Sequence, residues 1–141
     1  MKIIGTGSAH PSCSVTNEML EKFLATTDEW ITERTGIKAR SVISTERLED
    51  LACEAAQRAL EDANLTVNDI DFIICSNVVN EYVTPALSCI IQGKLGAKCP
   101  TVDINAACAG FIFAMDMADD KLKANKAKNI LIVCAEEPSR M

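Results

Sequence analysis

Two continuous apolar runs constrain this chain more than any other feature: Phe72-Ile-Ile-Cys75 and Ile130-Leu-Ile-Val-Cys134. A strand with one wet face alternates apolar and polar residues. A run without alternation belongs to a strand covered on both faces, the usual state in a parallel sheet. The runs predict strands over residues 71–76 and 129–135, and a shorter strand is expected at Thr101–Ile104 between them. Helical patterns fill the gaps. Residues 48–63 place Leu51, Ala52, Ala55, Ala56, Ala59, Leu60 and Ala63 at helical spacing, and so many alanines suit close packing on a sheet. Pro85 predicts the first turn of a helix that runs to about Leu95 and stops at Gly96. Residues 109–124 predict another. Strands alternating with helices imply right-handed βαβ units, hence an α/β fold with a mostly parallel sheet and covering helices.

The N-terminal third is less regular. Residues 2–5 read as a short strand ending at Gly-Thr-Gly. Thr16 or Asn17 caps a helix through about Leu24. Thr27 caps a second helix, Asp28 to about Thr35, stopped by Gly36.

Composition narrows the partners. The chain has 141 residues, 48% hydrophobic and 24% charged, which suits one soluble globular unit with a real core. Its net charge is −6, without a basic stripe, so neither nucleic acid nor an anionic membrane surface is an expected partner. No signal peptide and no run of membrane-spanning length is visible, and the expected location is the cytoplasm. Seven cysteines without a Cys-x-x-Cys, beside the single His10, support neither a disulfide framework nor a metal site. Cys53, Cys75, Cys89 and Cys134 are expected in the core.

Cys108 is different. It lies between the strand at Thr101–Ile104 and the helix that follows, in Asp103-Ile-Asn-Ala-Ala-Cys-Ala-Gly-Phe111. A thiol at a helix N-terminus meets the positive end of the helix dipole, which favours a thiolate, and nearby backbone N–H groups can hold an oxyanion. That arrangement suits a nucleophile for acyl transfer; the same position also suits a small core cysteine.

Four segments in order resemble the 3-oxoacyl-[acyl-carrier-protein] synthase III condensing enzymes of the thiolase superfamily. They are the N-terminal Ile-Ile-Gly-Thr-Gly-Ser, residues 26–38 (Thr-Thr-Asp-Glu-Trp-Ile-Thr-Glu-Arg-Thr-Gly-Ile-Lys), residues 50–60, and the Cys108 motif. The resemblance implies a thiolase-like α/β unit over residues 1–141, the N-terminal one of two similar halves. It implies that Cys108 takes an acyl group from acyl-CoA for decarboxylative condensation with malonyl-ACP, initiating fatty-acid synthesis. It also implies that Trp30 and Arg34 sandwich the CoA adenine, that Thr26 contacts the same molecule, and that no permanently bound cofactor is needed.

Phe111 is expected beside the acyl pocket or the thiol, or else in ordinary core. Thr84, before Pro85, stands where many relatives carry phenylalanine near that pocket, so acyl length or branching is open. The expected partners are acyl-CoA, the acyl carrier protein and a second copy in a homodimer. The histidine and asparagine that such enzymes bring from their C-terminal half have no counterpart here, so the isolated chain is expected not to complete the condensation. Polyketide priming, another CoA-dependent acyl transfer, or an inert half-domain are the alternatives.

Overall fold

The two apolar runs do pair in a parallel sheet, the first at its centre and the second at one edge. The computed structural model describes residues 1–140. In chain order its strands are β1 (Cys13–Thr16), β2 (Ala39–Val42), β3 (Phe72–Ser76), β4 (Thr101–Ile104) and β5 (Ile130–Cys134). Its helices are α1 (Asn17–Glu21), α2 (Asp28–Thr35), α3 (Leu48–Asp62), α4 (Leu87–Leu95) and α5 (Gly110–Lys123). The larger sheet has the order β4-β3-β5, with both pairs parallel. The register sets Ile74 beside Val102 on one side and Ile132 on the other.

Two apolar layers enclose this sheet. Ile73 and Cys75 of β3, with Leu131 and Val133 of β5, pack with Ala52, Ala56 and Leu60 of α3 and with Leu87 and Ile91 of α4. On the other face Ile74 meets Ala114 and Ala118 of α5, flanked by Ile130 and Ile132. Ile73 and Ile74 are fully buried, each stabilising the fold by about 1.5–3 kcal/mol relative to exposure. Alanines on α3 let its backbone lie close to the sheet, as the sequence pattern implied, and Ala114 and Ala118 do the same for α5.

The start of α4 is held by β4. The Asp103 carboxylate accepts from Leu87 N at 2.9 Å and Ser88 N at 2.8 Å, satisfying two donors that a helix N-terminus leaves free. Pro85 lies just before this helix, on a cis Thr84–Pro85 peptide, and not in its first turn.

Other boundaries also differ from expectation. The first helix ends at Glu21 rather than Leu24, although Thr16 caps it. Residues 2–5 form no strand; Ile3 and Ile4 are half exposed, because no strand lies alongside to pair with them. β1 and β2 form an antiparallel pair that the sequence did not announce; their short, half-exposed residues carry no continuous apolar signal. Cys89 and Cys134 are exposed rather than core, whereas Cys53, Cys75 and Cys99 are buried. Among the described residues no helix is long and apolar enough to cross a membrane.

Candidate active site

Cys108 sits where the chain leaves β4 and enters α5, in the 3-10 turn Ala107–Ala109. Its side chain is exposed. Ala107 immediately before it has φ +46°, a left-handed backbone that disfavours any residue with a Cβ. The turn is closed by Ala109 N bonding Ala106 O at 3.1 Å. It sets the thiol just ahead of α5, whose first-turn N–H groups lack partners within the helix.

Close packing fixes that helix start. A Cβ on Gly110 would run into the Ser76 side chain at the end of β3. The C-terminal ends of the parallel strands and the N-terminus of α5 therefore converge near Cys108, the region where open α/β sheets build sites. Burial pushes the Cys75 thiol up, with the Asp103 carboxylate adding to the shift, and the partial burial of the Cys134 sulfur raises that thiol as well.

Phe111, one position into α5, is 46% exposed and borders a cavity of about 490 Å³ between α3 and α5. It is therefore not an ordinary core residue. Thr84 is exposed in the loop between β3 and α4. Arg47 reaches this loop, donating to Glu81 Oε2 at 3.0 Å and to the Tyr82 hydroxyl at 3.3 Å. Those bonds, with Glu49, keep its guanidinium firmly protonated.

Three tethering residues were missed from sequence. Glu136 accepts from Val78 N at 2.8 Å and Val79 N at 3.0 Å. Asn77 donates to Ala135 O at 2.8 Å and Val79 O at 3.0 Å. Asp103 caps α4. Each polar residue lies within or directly after an apolar strand run, a position that could have drawn attention to it.

Trp30 and Arg34 belong to a separate layer, on α2, which packs on α1. The Arg34 guanidinium lies over the Trp30 ring at 4.5 Å from its centroid. The two groups thus stack on each other, and Trp30 is 52% exposed. A flat base must either part them or stack on an open face. Thr27, not Thr26, caps α2, accepting from Trp30 N at 3.1 Å; the Thr26 hydroxyl is buried without a hydrogen-bond partner.

The seat of α2 is a polar knot. Asn17, 1% exposed, donates to Asp28 Oδ1 and to Ile37 O, both at 2.7 Å, and accepts from Arg40 Nη2 at 2.6 Å. Thr32 also donates to Asp28 Oδ1 at 3.1 Å. The Asn17 hydrogen bond leads the causes that hold the Asp28 carboxyl below its ordinary value.

A family model described as 3-oxoacyl-[acyl-carrier-protein (ACP)] synthase III matches residues 102–141. The chain is 45% identical over 140 residues to the beta-ketoacyl-[acyl-carrier-protein] synthase III of Vesicomyosocius okutanii subsp. Calyptogena okutanii (strain HA), covering 99% of this chain and 45% of that protein. The crystal structure of 3-oxoacyl-[acyl-carrier-protein] synthase III from Aquifex aeolicus VF5 superposes with a TM-score of 0.95 at 45% identity, over 99% of this chain and 46% of that one. The priming beta-ketosynthase of the R1128 polyketide biosynthetic pathway gives a TM-score of 0.92 at 34% identity, over 96% of this chain and 41% of that one. The chain thus spans less than half the length of the relatives it matches. Sequence and thiolase-like fold agree that it belongs to the 3-oxoacyl-[acyl-carrier-protein] synthase III family.

Proposed function

We propose that Cys108 is the acyl-accepting nucleophile of a β-ketoacyl-ACP synthase III that initiates fatty-acid synthesis. The observation that carries this is the exposed thiol on a left-handed turn at the N-terminus of α5. In the first step the Cys108 thiolate attacks the acyl-CoA carbonyl. The negative charge moves to the carbonyl oxygen, where backbone N–H groups of the turn stabilise it. The tetrahedral species collapses, the CoA thiolate leaves, and the acyl group remains on Cys108 as a thioester.

In the second step malonyl-ACP loses carbon dioxide. Its carbanion attacks that thioester, and the Cys108 thiolate is the leaving group. This step calls on the histidine and asparagine that the family resemblance assigns to the other half of such enzymes. The 141 residues alone carry the acylation step at most.

Trp30 and Arg34 are the adenine platform in this reading. An indole face and a guanidinium plane both stack on a base, and Arg adds a fixed charge for phosphate. The Thr26 hydroxyl supplies a further contact. Phe111 and Thr84 border the acyl group, acyl-CoA is a substrate rather than a resident cofactor, and the working form is a homodimer. Polyketide priming remains the second reading, favoured by the fold match to the R1128 priming synthase.

Intact-mass measurement after incubation with acetyl-CoA tests the reading. One acetyl adduct that maps to Cys108 and vanishes in Cys108→Ala is expected. Acetylation spread over the other exposed thiols, Cys13, Cys89 and Cys134, or persisting in that variant, would overturn it.

A further inference from the structure

The loop between β3 and α4 carries Thr84 and is held at three places. Its root is fixed by Glu136, which accepts from Val78 N at 2.8 Å and Val79 N at 3.0 Å. Its far end is fixed where Asp103 accepts from Leu87 N at 2.9 Å. Between them, Arg47 donates through Nη2 to Glu81 Oε2 at 3.0 Å and to the Tyr82 hydroxyl at 3.3 Å. Val83, Thr84 and Pro85 are all exposed, so packing does little to hold them. With the Arg47 contacts in place, the unanchored span around Thr84 is four residues, 83–86. Without them it is seven, residues 80–86.

An exposed ion pair by itself positions little. Arg47 is a different case, because its Nε donates to Glu49 at the start of α3, and Glu49 is only 5% exposed. Losing that cation would leave a buried carboxylate uncompensated. The guanidinium is therefore set before the loop docks, and its planar fork offers Nη2 to the loop in a fixed direction. We infer that Arg47 is a positioning residue for acyl selection: it holds Thr84 as a fixed wall beside the acyl group and so sets which acyl-CoA acylates Cys108. This rests on the proposal that Cys108 accepts the acyl group with Thr84 at its border. Arg47 itself touches no substrate. A wall held in place turns away an oversized acyl group by steric contact, whereas a wall on a seven-residue span gives way. A fixed pocket separates groups that differ by one or two methylenes by about tenfold or more.

The probes are acetyl-CoA and isobutyryl-CoA, each reacted with the 141-residue chain and followed by intact mass as acylation of Cys108. The wild type should favour one of the two by about tenfold or more, and Arg47→Met should bring the ratio of rates about fivefold or more toward unity. Glu81→Gln combined with Tyr82→Phe should do the same. That double variant leaves Arg47, Glu49 and α3 intact, so the test stands even where Arg47→Met does not fold. A merely structural role would slow both acyl-CoAs alike and leave the ratio where it was. Amide order parameters read the clamp without any acylation. At residues 81–83 they should fall from about 0.85 in the wild type to below about 0.6 in either variant, with Val78 and Val79 unchanged. A wild-type ratio near one, an unchanged ratio in the folded variants, or unchanged order parameters would overturn the inference. No acylation of wild-type Cys108 by either acyl-CoA would overturn the Cys108 reading and this inference with it, an outcome told apart because the order parameters would still shift.

Discussion

Asn17 makes more connections than any other buried polar side chain of the N-terminal layer, and its loss should be felt. Asn17→Ala would strip partners from Asp28, from Ile37 O and from Arg40. Leaving such groups unpaired costs on the order of 2 kcal/mol, so the urea midpoint should fall while the slope stays unchanged. Glu46 sets a second residue-scale expectation. Its carboxylate accepts from the Ser12 N–H and hydroxyl and from the N–H groups of Ser44 and Thr45. These bonds, the Ser12 hydroxyl first, hold it well below the usual carboxylate range. A depressed folded-state value contributes stability above the unfolded-chain value, about 4.3, and that contribution drains away as pH falls below it. Urea midpoints measured downward from neutral pH should therefore drop on the acid side, and Glu46→Gln should flatten part of that drop.

At the scale of elements, the contact between α5 and β3 is the most exacting. Gly110→Ala would force a methyl group into the Ser76 side chain, costing about 1–3 kcal/mol as overpacking does. Ser76→Ala in the same chain removes the hydroxyl that is hit and should recover part of the loss, a coupling that a double-mutant cycle of unfolding free energies would read. Acetylation of Cys108 should slow in Gly110→Ala and recover in the double variant. The elements were unevenly legible in the sequence. The runs at β3 and β5 announced themselves because burial on both faces leaves no polar residue to interrupt them. α2 was legible through the Thr27 cap and the Gly36 stop, which are local signals. β1 and β2 were not, since their pairing joins residues about 25 apart, such as Val15 and Arg40, and neither strand is apolar enough to stand out. Cys108 could be singled out by its junction position, but the left-handed turn at Ala107 could not, because nothing in an alanine signals positive φ. The Trp30 and Arg34 spacing was visible; their stacking on each other was a matter of side-chain geometry.

For the whole molecule, the exposed apolar side chains dominate expectation. Phe111, Ile112 and Phe113 are each about half exposed or more, in one turn of α5, and Val83 is fully exposed in the β3–α4 loop. Contiguous apolar surface of this kind drives association. Sedimentation velocity should show weight-average mass rising with concentration, and Ile112→Glu with Phe113→Glu should suppress that rise without lowering the thermal midpoint.

The strand order β4-β3-β5 also governs how the chain is made. β3 is synthesised first of the three and ends up in the middle. A growing polypeptide that has released residues 72–76 holds an apolar strand with both edges bare, and the second edge stays bare until Ile130–Cys134 emerges. During that interval Ile73, Ile74 and Cys75, the least solvent-accessible residues of the finished sheet, are the ones most open to capture by another chain. Ribosome-bound chains stopped before residue 130 should therefore engage holding chaperones more strongly than chains stopped well beyond residue 134.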